Sequence, residues 1–183
     1  MEEVFGTIEQ VGAAAGVPGR ADEVVAGLRG RLARVADAVA GASRPRVLAI
    51  EWLDPPFAPG HWVPEMVEAA GGSNLLGEAG AHSREVPWEA LEGLDPDVLV
   101  IMPCGYGLEA SAADADLHAE RLRAVAPRAV GEGRAWVVDG SAYFNRSGPR
   151  VVDGIEILAG LLHPGRVPDP PPGTAARWRG DAA

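Results

Sequence analysis

A length of 183 residues with 47 % hydrophobic content fits a single domain with its own buried core and a short extension. All 16 basic residues are arginine against 26 acids, a net charge of −10; this excludes lysine-based phosphate loops and Schiff bases, and it argues against nucleic-acid or anionic-membrane partners. The single cysteine, Cys104, excludes an intramolecular disulfide and a cysteine-rich zinc site, and no apolar run reaches the roughly 18 residues of a membrane span.

In chain order, Val4, Ile8 and Val11 recur at helical spacing and predict a short helix over 2–14. A longer helix over 21–42 carries one stripe of Val24, Val25, Leu28, Leu32, Val35 and Val39. It would extend about 33 Å, enough to cross a domain. Three short apolar runs then predict buried strands: 46–51 (RVLAIE), 97–102 (DVLVIM) and 135–139 (AWVVD). Helical stretches at 62–70, 87–93, 114–125 and 150–162 surround and separate them. Segment 164–183 holds Pro168, Pro170, Pro171 and Pro172 with little that is apolar, and reads as a disordered tail. The fold class is therefore α/β: a three-layer lobe with a short parallel sheet flanked by helices, preceded by a long backbone helix. The chain divides into 1–42, 43–163 and 164–183.

Ligands of an open α/β sheet bind beyond the carboxyl ends of its strands. The unusual residues collect there, in 51–62 (EWLDPPFAPGHW), 103–107 (PCGYG) and 140–150 (GSAYFNRSGPR). Trp52, Phe57, Trp62, Tyr106, Tyr143 and Phe144 all fall in these loops, which suits a flat, largely apolar ligand with a few polar handles. Anchoring of the loops by packing is the competing reading. His61 is a surface or capping residue before it is a ligand, and Cys104 is either a small buried residue or a binding-site thiol. Glu51 either caps a loop or points a charge into the cleft, and Arg146 lies far enough out to reach a ligand. No G-x-S-x-G elbow, triad order or paired histidine spacing is present, so neither a catalytic residue nor a metal site is expected.

Three strings resemble the cobalamin-type, helical-backbone substrate-binding proteins of ABC importers: EWLDPPFAPGHWVPEMVEAAGG, SREVPWEALEGLDPDVLVIMPCGYGLE and VVDGSAYFNRSGPRVVDGIEILAGLLHP. These are clamshells of two α/β lobes joined by one long helix. The resemblance covers about residues 3–163 and implies that helix 21–42 is the inter-lobe helix and 43–163 the C-terminal lobe, with the family's N-terminal lobe absent from the sequence as written. It implies a receptor and not an enzyme, with no cofactor of its own and with cobalamin or another corrinoid as ligand. A siderophore or haem receptor of the same architecture is the alternative, and a cytoplasmic cofactor-handling enzyme is the alternative from another class.

Carried over residue by residue, the pocket positions of the family fall on Glu51, Phe57, Trp88, Asn145 and Arg146. Corrinoid binders commonly present an aromatic where Glu51 stands. Glu89 matches the lobe-surface glutamate that docks on an arginine of the permease, although an acid in a first helical turn is also favoured by the helix dipole. The partners so implied are a small-molecule ligand, an ABC permease through Glu89, and either the missing lobe or a second copy. Self-association is expected because Val4, Phe5, Ile8, Val11 and Val24 have no evident partner in the sequence. Neither nucleic-acid binding nor membrane insertion is expected. The first residues lack the basic-then-apolar order of an export signal. The compartment is thus left open: the cell-surface or periplasmic side for a piece of an exported receptor, otherwise the cytoplasm.

Overall fold

A computed structural model describes residues 1–180. Helices α1 (Glu2–Ala14) and α2 (Pro18–Val39) come first, with Pro18 starting α2 where its missing N–H costs nothing. Then follow β1 (Arg46–Ile50), β2 (Trp52–Leu53), β3 (Pro56–Ala58), α3 (Val63–Ala69), β4 (Ser73–Asn74) and β5 (Arg84–Glu85). Next are β6 (Val98–Ile101), α4 (Leu108–Leu117), α5 (Ala119–Val125), α6 (Pro127–Gly131) and β7 (Ala135–Val138). The chain closes with α7 (Gly140–Tyr143), α8 (Arg150–Leu162) and β8 (Ala175–Arg177).

The main sheet has the order β4-β1-β6-β7-β8, parallel except for the last pair, in which β8 runs antiparallel to β7. Its central strands β1, β6 and β7 are almost wholly apolar because both faces are covered. Val47, Ala49, Val98, Val100 and Val138 pack with α1, α2, α3 and α8. The alternate residues Leu48, Ile50, Leu99, Ile101 and Val137 pack with α4, α5 and α6. This period of two divides the core into two layers, and each fully buried Leu or Ile contributes about 1.5–3 kcal/mol.

Four expectations change. The stretch 87–93 is one 3₁₀ turn (Trp88–Ala90), confined between Pro87 and Gly93, whose φ is +76°. The helix expected at 114–125 is two helices, and the first begins earlier, at Leu108. They break at His118, whose ring nitrogen is 2.9 Å from the Asp114 carbonyl.

The segment expected to be a disordered tail is ordered over 164–180, while 181–183 lie outside the described residues. Pro168 and Pro170 press on Gly160 of α8, and the Asp139 amide donates to the Thr174 carbonyl. Then β8 covers the edge of β7, and Trp178, 4 % exposed, donates from Nε1 to Asp116 Oδ1 at 2.8 Å. Composition missed this because the order comes from three anchors, Val167, Thr174 and Trp178, and not from a run.

The unpartnered apolar face on the first two helices is also absent. Val4 and Phe5 are buried, and Ile8 and Val24 pack partly buried against the lobe's own core. Arg29 lies 5.5 Å over the Phe5 ring. Of the five residues expected to be unpartnered, Val11 alone, 63 % exposed, stays outside, so the ground for self-association through this face is removed.

Candidate functional site

Parallel pairing of β1, β6 and β7 puts the ends of all three strands at one edge of the sheet. Just past β1 the chain forms a small antiparallel sheet, β2-β3-β5, in which Trp52 sits directly opposite Phe57. Cross-strand aromatics of this kind support each other, so the two rings hold one wall together. The loop past β7 presses against the end of β6. A Cβ on Gly140 would collide with the carbonyls of Met102 and Pro103, so only glycine permits this approach, and Asn145 Nδ2 donates to the Pro103 carbonyl at 3.4 Å.

Between these loops lies a cleft of about 490 Å³ lined by Glu51, Trp52, Phe57, His61, Trp62, Ser83, Cys104 and Asn145. Trp62 Nε1 donates to the Phe144 carbonyl at 2.7 Å, tying the loop after β3 to the loop after β7. Tyr106 stands behind Trp52, edge-on at 5.1 Å. His61 has a left-handed backbone, φ +54°, held by its amide on the Ala81 carbonyl and by the Gly80 amide on its own carbonyl. A non-glycine residue in this conformation costs roughly 1–3 kcal/mol, and such strain concentrates at binding sites.

Glu51 carries the one carboxylate of the lining. Burial pushes its carboxyl up, against smaller opposite effects from the Ser83 hydroxyl and from His61. Burial and the Glu51 charge also push the Cys104 thiol up, so at neutral pH it is a thiol and not a thiolate nucleophile. Asn145 Oδ1 is buried without a hydrogen-bond partner among the described residues, an acceptor that a ligand donor would satisfy.

The raised Glu51 carboxyl fixes the sign of one pH effect. Its folded value lies above its unfolded value, so the native state holds the proton more tightly and stability falls as pH rises through the raised value. Glu51→Gln is therefore expected to be more stable than the parent protein at about pH 7, with the gain gone by about pH 3, below the ordinary carboxylate range. Thermal unfolding of both proteins at the two pH values measures it. A variant less stable at pH 7 would show that the charge is compensated in the cleft.

The other sequence-derived positions lie elsewhere. Trp88 is buried in the second core layer, with the His118 ring stacked 6.4 Å away and Arg121 at 5.5 Å from its ring. Phe144 is fully buried in the first layer. Tyr143 lines a groove beneath α2 and the 167–174 segment. Arg146 opens into an adjoining basin, and Glu89 is exposed on the 3₁₀ turn. Loop membership placed these side chains near the strand ends but not their direction. Ser83 was missed because nothing in the irregular stretch before β5 marks it. Among the described residues, no group of three or more His, Cys, Asp or Glu is arranged to hold a metal ion, and no helix is long and apolar enough to cross a membrane.

A parallel sheet covered on both faces, with an aromatic cleft at its carboxyl edge and long helices packed against one layer, is a fold shared with periplasmic binding proteins. The periplasmic binding protein family matches residues 1–139, and the chain belongs to it. Among solved structures it is similar to a periplasmic haem-binding protein from Pseudomonas aeruginosa, with 24 % identity and a TM-score of 0.78 over 96 % of this chain and 64 % of that one. It is also similar to the vitamin B12 binding protein BtuF of Vibrio cholerae, at 20 % identity and TM-score 0.70 over 87 % and 60 %. A ferric-hydroxamate transport system protein from Saccharomonospora viridis gives 24 %, 0.70, 88 % and 56 %. The chain thus spans less than two-thirds of each of these structures. No curated protein matches it.

Proposed function

We propose that this chain supplies the carboxyl-side ligand-binding lobe of an ABC-importer substrate receptor, working on the outer side of the membrane, and that its ligand is cobalamin or a related corrinoid. The carrying observation is the cleft itself. Trp52, Phe57 and Trp62 offer flat apolar walls, and Glu51, Ser83, His61, Cys104 and Asn145 offer polar contacts at its edges. Such a lining fits a broad, flat ligand rimmed with hydrogen-bond donors, as a corrinoid with amide arms is. Haem and siderophores are the competing ligands, since proteins of similar fold bind a haem and a ferric hydroxamate. The half-buried Glu51 carboxyl favours amide donors over haem's carboxylates at this spot.

Titration with cobalamin, haemin and a ferric hydroxamate, followed by ligand absorbance and tryptophan fluorescence, tests the reading. Cobalamin is expected to saturate, and Trp52→Ala or Phe57→Ala to weaken it about tenfold, the scale of losing one aromatic contact. Saturation by haemin alone, or by none of the three up to millimolar concentration, overturns the corrinoid assignment.

Glu89 is proposed as the residue that docks the lobe on its permease. Its exposure on a turn anchored by the buried Trp88 supports this role. Glu89→Ala is expected to change stability by less than about 1 kcal/mol while lowering transport by a complete receptor. A large stability loss would assign Glu89 to the fold instead.

A further inference from the structure

Beside the aromatic cleft lies a second depression, about 330 Å³, lined by Gly105, Gly107, Asp139, Ser141, Ala142, Arg146 and Arg150. The two are contiguous through chain neighbours: Cys104 and Asn145 line the cleft, and Gly105 and Arg146 line the basin. Its chemistry is different. The cleft is mostly aromatic with one carboxylate, whereas the basin holds two guanidiniums and a hydroxyl.

Some arginines of this chain are tied up by acids, as Arg31 is by Asp153 and Glu156 and Arg128 is by Asp95 and Asp97. Arg146 and Arg150 make no ion pair and no side-chain hydrogen bond among the described residues, although they share one depression. The carboxylate of the basin, Asp139, is turned to its own helix, where Oδ1 accepts the Ala142 amide at 2.8 Å. The floor is bare backbone. A Cβ at Gly105 would meet nothing within 4 Å and one at Gly107 only Asp139 Oδ2 at 4.0 Å, and neither glycine amide donates to another backbone group among the described residues.

We infer that this basin is an oxyanion subsite, in which Arg146, Arg150, Ser141 and the Gly105 and Gly107 amides hold an anionic arm of the ligand whose flat body lies in the cleft. The placement of the body rests on the function proposed above; the basin itself does not. Two guanidiniums against one carboxylate leave a single net positive charge, which matches a monoanion such as a phosphodiester or a carboxylate. Arg150 becomes a specificity-determining residue: it separates ligands that share a body and differ in this arm.

The first measurement uses small anions alone. Titration of the full chain with dimethyl phosphate, and separately with acetate, is followed by the amide shifts of Gly105, Gly107 and Ser141. Saturable shifts with either anion, lost in an Arg146→Gln/Arg150→Gln double variant of unchanged circular dichroism, are expected, and the anion that binds more tightly names the arm. No shift with either anion overturns the subsite whatever else the protein binds. The second compares cobalamin with cobinamide, the same macrocycle lacking the phosphodiester. Cobalamin is expected to bind about tenfold or more tightly, and Arg150→Gln to bring the ratio close to one. Equal binding of the two by the unaltered protein, or equal weakening of both by the variant, overturns the role of the basin in ligand choice. Binding of dimethyl phosphate without either corrinoid keeps the subsite and removes the corrinoid reading.

Discussion

Phe5→Ala is expected to lower the free energy of unfolding by about 3–5 kcal/mol, the range for deleting a fully buried aromatic ring. The ring has no exposed surface and sits in the same core layer as Val25, Leu28 and the residues of α8, with Arg29 stacked over it. Removing it leaves a cavity that the rigid sheet behind cannot fill by collapsing. Phe5→Asp goes further, since it puts a carboxylate where the side chain is wholly buried. Urea unfolding followed by tryptophan fluorescence gives the number. A loss below about 1 kcal/mol would mean that α1 is not docked, and that its apolar side is open to a second molecule as the sequence alone indicates. With α1 docked, sedimentation of the unaltered protein is expected to give a monomer near 19.0 kDa.

Trp178→Ala is expected to cost a similar amount, about 3–5 kcal/mol, although a disordered tail would make it neutral. The indole is nearly fully buried in the second core layer and its N–H is satisfied by Asp116, so truncation loses packing and leaves a carboxylate without its donor. The effect has a ceiling. If 164–180 detaches before the rest unfolds, the measured loss stops at the free energy that docks this segment. Trypsin separates the two cases, because Arg166 and Arg177, two of the three arginines in 164–180, mark its two ends. Rapid cleavage at both in the variant, with the sheet intact, marks local release; protection of both in the unaltered protein marks the docked state.

The strands were legible because burial on both faces demands unbroken apolar runs, and 46–51, 97–102 and 135–139 have no other use for them. The cleft was legible in part for a related reason: rings such as Trp52, Phe57 and Trp62 in loops full of proline and glycine are poor core material. What failed was everything set by a distant partner. The periodicity of 114–125 runs on through His118, and only the three-dimensional path shows the break. Val167, Thr174 and Trp178 look like scattered residues until the open edge of β7 is in view. Trp88 and Phe144 sit beside site residues in the sequence, yet their rings point into the core, because adjacency fixes where a Cα lies and not where its side chain goes. The N-terminal helix was misjudged in the same way, since Phe5 shares its core cluster with residues twenty and more positions onward, such as Val25 and Leu28.

The hydrogen bond from Trp62 to the Phe144 carbonyl bears on how this cleft chooses among ligands. It joins positions 82 residues apart and fixes the indole before anything arrives. The entropy of ordering that ring is spent during folding, so association carries less of it. A wall that cannot yield also cannot adapt. On the function proposed above, ligands are sorted first by whether a face matches this preset ring, and the polar rim then ranks what fits.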